Sequence, residues 1–176
     1  YSSDRTAVTG NTDILDHSAV GAPLKVRLRR AVPSPRTALA GALLWGLTIS
    51  LSAYLGIAHW ANPHHAALVV LLFGIGAALA FPAALFLSRL VAENKAPSGR
   101  FAAAFVMLAL GTIAVTAILF ALDYRIYYAA WHEEPFTRGW FVQFAFTVAG
   151  ALYQFAVIGL RLYFPIGFAA LFAASL

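Results

Sequence analysis

Six side chains could take part in metal chemistry. His59, His64 and His65 sit around one short polar segment, and His132, Glu133 and Glu134 sit in another. Imidazole nitrogens and carboxylate oxygens ligate zinc, and imidazole also suits copper. Neighbouring His64 and His65 do not easily reach one ion together, so the set that fits a single centre is His59, His65, His132 and Glu133. A second constellation is more diffuse. Gln143, Thr147, Gly150 and Gln154 fall at i, i+4, i+7 and i+11, and Arg161 continues the line at i+18. That spacing puts them on one side of a helix. Such a face either receives a quinone, a pigment or a small polar solute, or it hydrogen-bonds to neighbouring helices. In the second case Thr112 and Thr116 are the expected partners, and each bond contributes about 0.6 kcal/mol.

Other chemistries lack their residues. The chain has no cysteine, which excludes structural disulfides, thiol redox work and Cys-ligated metal centres. Its length and apolar runs resemble the quinone-linked membrane oxidoreductases that make disulfides, but those need paired cysteines and this chain has none. No serine stands with a histidine and a carboxylate in a recognisable nucleophile setting. A bis-histidine haem needs histidine in the middle of a span, and none is there. The sequence therefore reads as a non-enzyme, and no residue names a cofactor.

The elements that must position these groups are membrane helices. Charged residues make up 11% of the chain and hydrophobic ones 61%, whereas a soluble domain needs roughly 25% charged residues to face water. Four apolar runs stand out: Thr37–His59, Ala66–Ser88, Phe101–Leu122 and Trp140–Leu160. A helix rising 1.5 Å per residue needs about 20 residues to cross the hydrocarbon core, and each run reaches that length. None contains Asp, Glu, Lys or Arg. With no water to satisfy backbone polar groups, apolar runs of this kind must be helical. The expected fold class is an all-α, polytopic transmembrane bundle of about four spans, with Pro82 kinking the second.

The flanks are less regular. Residues 1–35 form a polar and basic tail, disordered or interfacial. Within it Leu24, Val26 and Leu28 alternate with Lys25, Arg27 and Arg29, which suits an extended segment. Residues 162–176 are apolar but too short to span. They are expected to lie in the interface, to pack on a partner, or to begin a fifth crossing. Pro165 argues against one straight helix there.

Charge sets a direction. Lys25, Arg27, Arg29, Arg30, Arg36, Arg89, Lys95, Arg100 and Arg161 fall on one side, against Arg125 and Arg138 on the other. By the positive-inside rule both termini face the cytoplasm. The basic balance thus belongs to a membrane surface and not to nucleic acid. Trp60, Tyr124, Tyr127, Tyr128, Trp131 and Trp140 mark an aromatic belt on the far side. The Ala-rich, Arg-rich composition favours a bacterial inner membrane.

Small residues supply the last pattern. Ala38, Ala42, Gly46 and Ser50 form a stripe on the first span, and Gly76, Ala80, Ala84 and Ser88 form one on the second. Such stripes let backbones approach closely. They are expected to pack on each other, or to bring one of them against another subunit. Together with the absence of intramembrane chemistry, this gives the leading expectation: a non-catalytic membrane subunit that packs with, anchors or helps assemble a larger complex amid membrane lipids. A metal-binding protein using the His/Glu loops and a small-solute or lipid transporter are the alternatives.

Overall fold

The computed structural model describes residues 23–58 and 63–176, and every regular element in them is helical. α1 runs Leu24–Ala31, α2 Pro35–Ile57, α3 Pro63–Ala92, α4 Pro97–Tyr128, α5 Arg138–Val157 and α6 Ile166–Ser175. Short 3-10 turns occupy Ala129–Trp131 and Gly159–Tyr163. Helices α2 to α5 are long and apolar enough to cross a bilayer. The chain is a multi-pass integral membrane protein with an all-α bundle.

Local chemistry starts these helices. Ser34 caps α2, its Oγ accepting from the Thr37 amide at 3.2 Å, with Pro35 at the first turn. Pro97 opens α4 in the same way, since a first-turn proline lacks an N–H that would be unpaired anyway. Thr137 caps α5, accepting from the Trp140 amide at 3.1 Å. α3 continues through Pro82 to Ala92, so the proline does not divide the span.

The extended reading of Leu24–Arg30 is corrected: the segment is a helix. Leu24, Leu28 and Ala31 also recur at i, i+4 and i+7, so the alternating pattern and the helical one share most of their residues. A tertiary contact decides between them. Ala31 is buried, while Arg27 pairs with Glu93, just past the end of α3, and reaches the Leu90 carbonyl at 3.4 Å.

α2, α3 and α4 pack side by side, with α3 in the middle. A Cβ on Gly46 would sit 2.9 Å from the Gly74 carbonyl oxygen and 3.0 Å from Ala78 Cβ. Ser50 crosses the same interface and donates to the Val70 carbonyl at 3.3 Å. Gly76, Ala80 and Ala84 look the other way, toward α4. A Cβ on Gly76 would lie 2.9 Å from Thr116 Cα, and one on Gly111 would lie 3.3 Å from Ala84 Cβ. The two stripes therefore do not meet. α2 uses its stripe against Gly74 and Ala78, and α3 turns its own stripe to α4. A central helix needs two small faces, and residues 74 and 76 lie about 200° apart around it. Ala38 and Ala42 are half-buried near the start of α2, and Ser88 is buried with its Oγ donating to Leu85 of its own helix.

The fourth crossing is built differently. α5 runs antiparallel to α4 and obliquely. Phe144 lies under Arg125, and Phe155 packs on Phe120 at 6.0 Å. Eleven residues of α5, about 16 Å of helix, thus match five residues of α4, about 7.5 Å. Having gained little depth, the chain passes through the 3-10 turn and a cis Phe164–Pro165 peptide into α6. Phe168 then meets Phe105 and Phe172 meets Phe101, which carries the chain toward the start of α4. α5, the 3-10 turn and α6 thus run in succession along α4, from its end back toward its start.

Candidate functional site at the broken crossing

Gln143 and Thr147 hold the loop that precedes α5. Gln143 Oε1 accepts from the Glu133 amide at 2.8 Å. Thr147 Oγ1 donates to the Gln143 carbonyl at 2.7 Å and lies 3.1 Å from His132 Nε2. The Glu133 carboxylate accepts from Thr137 at 3.4 Å beside Gly139. Half of the polar face is thereby spent on tying its own loop to the helix. Its expected partners lie elsewhere: Thr112 accepts from Trp45 Nε1 at 2.9 Å, and Thr116 faces Gly76.

The proposed metal set is distributed over this end of the molecule. His59 lies outside the described residues. His65 lines a cavity between α3, α4 and the 3-10 turn, whereas His132 is engaged with Thr147 on α5. Among the described residues no three His, Asp or Glu side chains are grouped to hold one ion.

That cavity encloses about 600 Å³. Its polar wall carries His65, Asp123, Tyr124 and Gln154, and its apolar wall carries Phe73, Phe120 and Leu162. An amphipathic molecule is the shape of guest it admits. Beside it Tyr124, Tyr128 and Trp131 form a chain of rings with centroids 4.6 and 5.9 Å apart. The Arg125 guanidinium lies 5.2 Å from the Trp140 ring centre and 4.6 Å from that of Phe144, pinning α5 to α4 by cation–π attraction.

Arg161, which charge counting puts on the basic side after the fourth apolar run, lies in the 3-10 turn between α5 and α6. The turn is fastened at Ser52, whose Oγ donates to the Leu162 carbonyl at 2.8 Å and accepts from the Gly167 amide at 3.1 Å. Ser52 lies five residues, about 7.5 Å, inside the end of α2. Tyr163 packs on Phe73, ten residues into α3. Arg161 is exposed at this depth, and its guanidinium has no hydrogen-bond or ion-pair partner among the described residues. Gly159 and Pro165 on either side were the available signal that the helix stops there while the crossing goes on.

The chain matches no protein-family model, no curated protein and no solved structure.

Proposed function

We propose that this chain is a non-catalytic subunit of a larger membrane assembly, docked through its fourth crossing with Arg161 as the anchor. The observation that carries this reading is the exposed Arg161 guanidinium at the break, which has no hydrogen-bond or ion-pair partner among the described residues. An arginine within a span costs roughly 2.5–3.5 kcal/mol on insertion scales, and such residues pair with acids or carbonyls. α5 adds surface for a partner. It buries only Ala151 and Phe155, and it leaves Phe146 76% and Tyr153 70% exposed. A neighbouring membrane helix that bears an Asp or Glu opposite Arg161 satisfies both features. The basic end, with Arg30, Arg89 and Arg100, faces the cytoplasm of a bacterial inner membrane in this reading. Eight Lys and Arg residues still lie there once Arg161 is removed from the count, against Arg125 and Arg138 at the aromatic end.

Mild-detergent extraction of the tagged chain from its native membrane, followed by native gel electrophoresis, tests this. The wild type should migrate in a larger assembly. Arg161→Leu should reduce the assembled fraction about tenfold, the scale of one lost charge-assisted hydrogen bond, and Arg161→Lys should restore part of it. A monodisperse single chain from the wild type, or an assembly indifferent to Arg161→Leu, overturns the reading.

A further inference from the structure

At the opposite end of the bundle two cavities adjoin. One, of about 490 Å³, is lined by Arg27, Arg30, Arg89 and Arg100 together with Glu93 and Asn94. The other, of about 380 Å³, shares Arg89, Ala92 and Arg100 with the first. It continues between α3, α4 and α6 along Ser88, Phe101 and Ala104.

The charges in the first cavity do not balance. Among the described residues Glu93 is its one carboxylate, and Arg27 takes it. That leaves Arg30, Arg89 and Arg100. Arg100 Nε donates to the Lys95 carbonyl at 3.2 Å, which orients the guanidinium and leaves its terminal N–H groups available. The Arg30 and Arg89 side chains have no hydrogen-bond or ion-pair partner among the described residues. Three like charges around one space repel unless an anion sits among them. The planar guanidinium fork matches phosphate oxygens in pairs, as a lysine ammonium does not.

The fold gathers these groups from four places. Arg89 comes from the last turn of α3 and Arg100 from the first turn of α4. Arg30 arrives on α1, which the Arg27–Glu93 pair and the burial of Ala31 hold against the end of α3. α6 closes the second cavity with Ser175 and Leu176.

We infer that this end binds an anionic phospholipid, its phosphate held by Arg30, Arg89 and Arg100 and its acyl chain lying along Phe101 and Ala104. A basic pocket between membrane helices is a general device for lipid phosphates. The apolar continuation is what favours a lipid over a free phosphate, because a free anion has no use for the wall formed by Phe101 and Ala104. Arg27 is a positioning residue: it neutralises Glu93 and sets α1 so that Arg30 points into the site. The inference stands apart from the docking role of Arg161, which lies at another depth and on another element.

The test uses purified full-length protein in nanodiscs of phosphatidylcholine, with and without phosphatidylglycerol. Thermal unfolding is followed by circular dichroism, and retained lipid is read by native mass spectrometry. Phosphatidylglycerol should be retained preferentially and should raise the unfolding temperature. The double variant Arg30→Gln/Arg89→Gln should lower its retention about tenfold or more and abolish the shift. Both side chains are exposed, so the helical spectrum in phosphatidylcholine should stay unchanged. Ala104→Phe should fill the apolar cavity, weakening retention of phosphatidylglycerol without altering the effect of inorganic phosphate. Equal retention of the two lipids by the wild type, or selectivity that survives the double substitution, overturns the inference. Inorganic phosphate that protects as well as phosphatidylglycerol, with Ala104→Phe silent, assigns the arginines to a free anion and overturns the lipid.

Discussion

The trio of α2, α3 and α4 and the crossing made by α5 and α6 stand in the same membrane and solve its packing problem in opposite ways. The trio works by proximity. Gly46, Gly74, Gly76 and Gly111 let backbones approach until glycine is the only residue that fits without movement. Lipid is as apolar as leucine, so this contact, and not withdrawal from water, is what holds membrane helices together. The fourth crossing works by fastening. Gly150 at its middle has nothing within 4 Å of a built Cβ. It is held instead by Ser52 at the break, by Arg125 over two rings, and by Gln143 and Thr147 at its loop. Among the described residues, Arg125 Nε, His132 Nδ1, Tyr163 OH and Thr116 Oγ1 are buried without hydrogen-bond partners; the first three lie on this crossing or where it meets α4, and the fourth faces Gly76 within the trio. A region held by few polar fasteners opens at lower free energy than one held by continuous packing. The looser element is therefore the one available to a partner.

Substitutions can break or sharpen that contrast. Gly76→Leu should do the greatest damage. Its side chain would drive into Thr116 on the tight face, destabilising the bundle by about 3 kcal/mol or more, read as a lowered unfolding midpoint in detergent. Ser52→Ala should come next. It leaves a buried carbonyl and a buried amide unpaired at the break, costing about 1–3 kcal/mol. Hydrogen exchange should then accelerate across residues 159–170 while α3 stays protected. Exchange that accelerates equally in α3 would show the two regions to be one cooperative unit. Gly150→Ala should have the smallest effect. With open space around it, the methyl should be neutral or stabilise by about 0.4–1 kcal/mol through the unfolded chain. A loss comparable to that of Gly76→Leu would remove the distinction between the regions.

Particular residues show where sequence reading succeeded and where it stopped. The four apolar runs became α2 to α5 because their length and lack of charge leave a chain in hydrocarbon no other structure. Ser34 and Thr137 start helices through bonds to residues three positions away, and Pro97 through its own missing N–H, so local sequence contains the whole cause. The stripes were visible as small-residue faces, but their partners were not. Gly76 reads the same whether it meets α2, α4 or another chain. The helical α1 was hidden because Leu24 and Leu28 fit both periods, and the contact that chose between them is with Glu93, far along the chain. Of the polar face, the periodicity found Gln143, Thr147 and Gln154 on one helix, but could not show the first two bonded to Glu133 and His132.

Sequence by itself determined that this is a multi-pass membrane protein, because hydropathy and span length are properties of continuous segments answering to a fixed bilayer thickness. Tertiary structure alone decided which faces meet, that α6 continues along α4 where α5 leaves off, and that Arg161 sits at the turn between them while Arg30, Arg89 and Arg100 converge at the far end of the bundle. Those outcomes rest on contacts between residues distant in the chain, and no local pattern of apolar and polar residues encodes which distant neighbour a side chain will find.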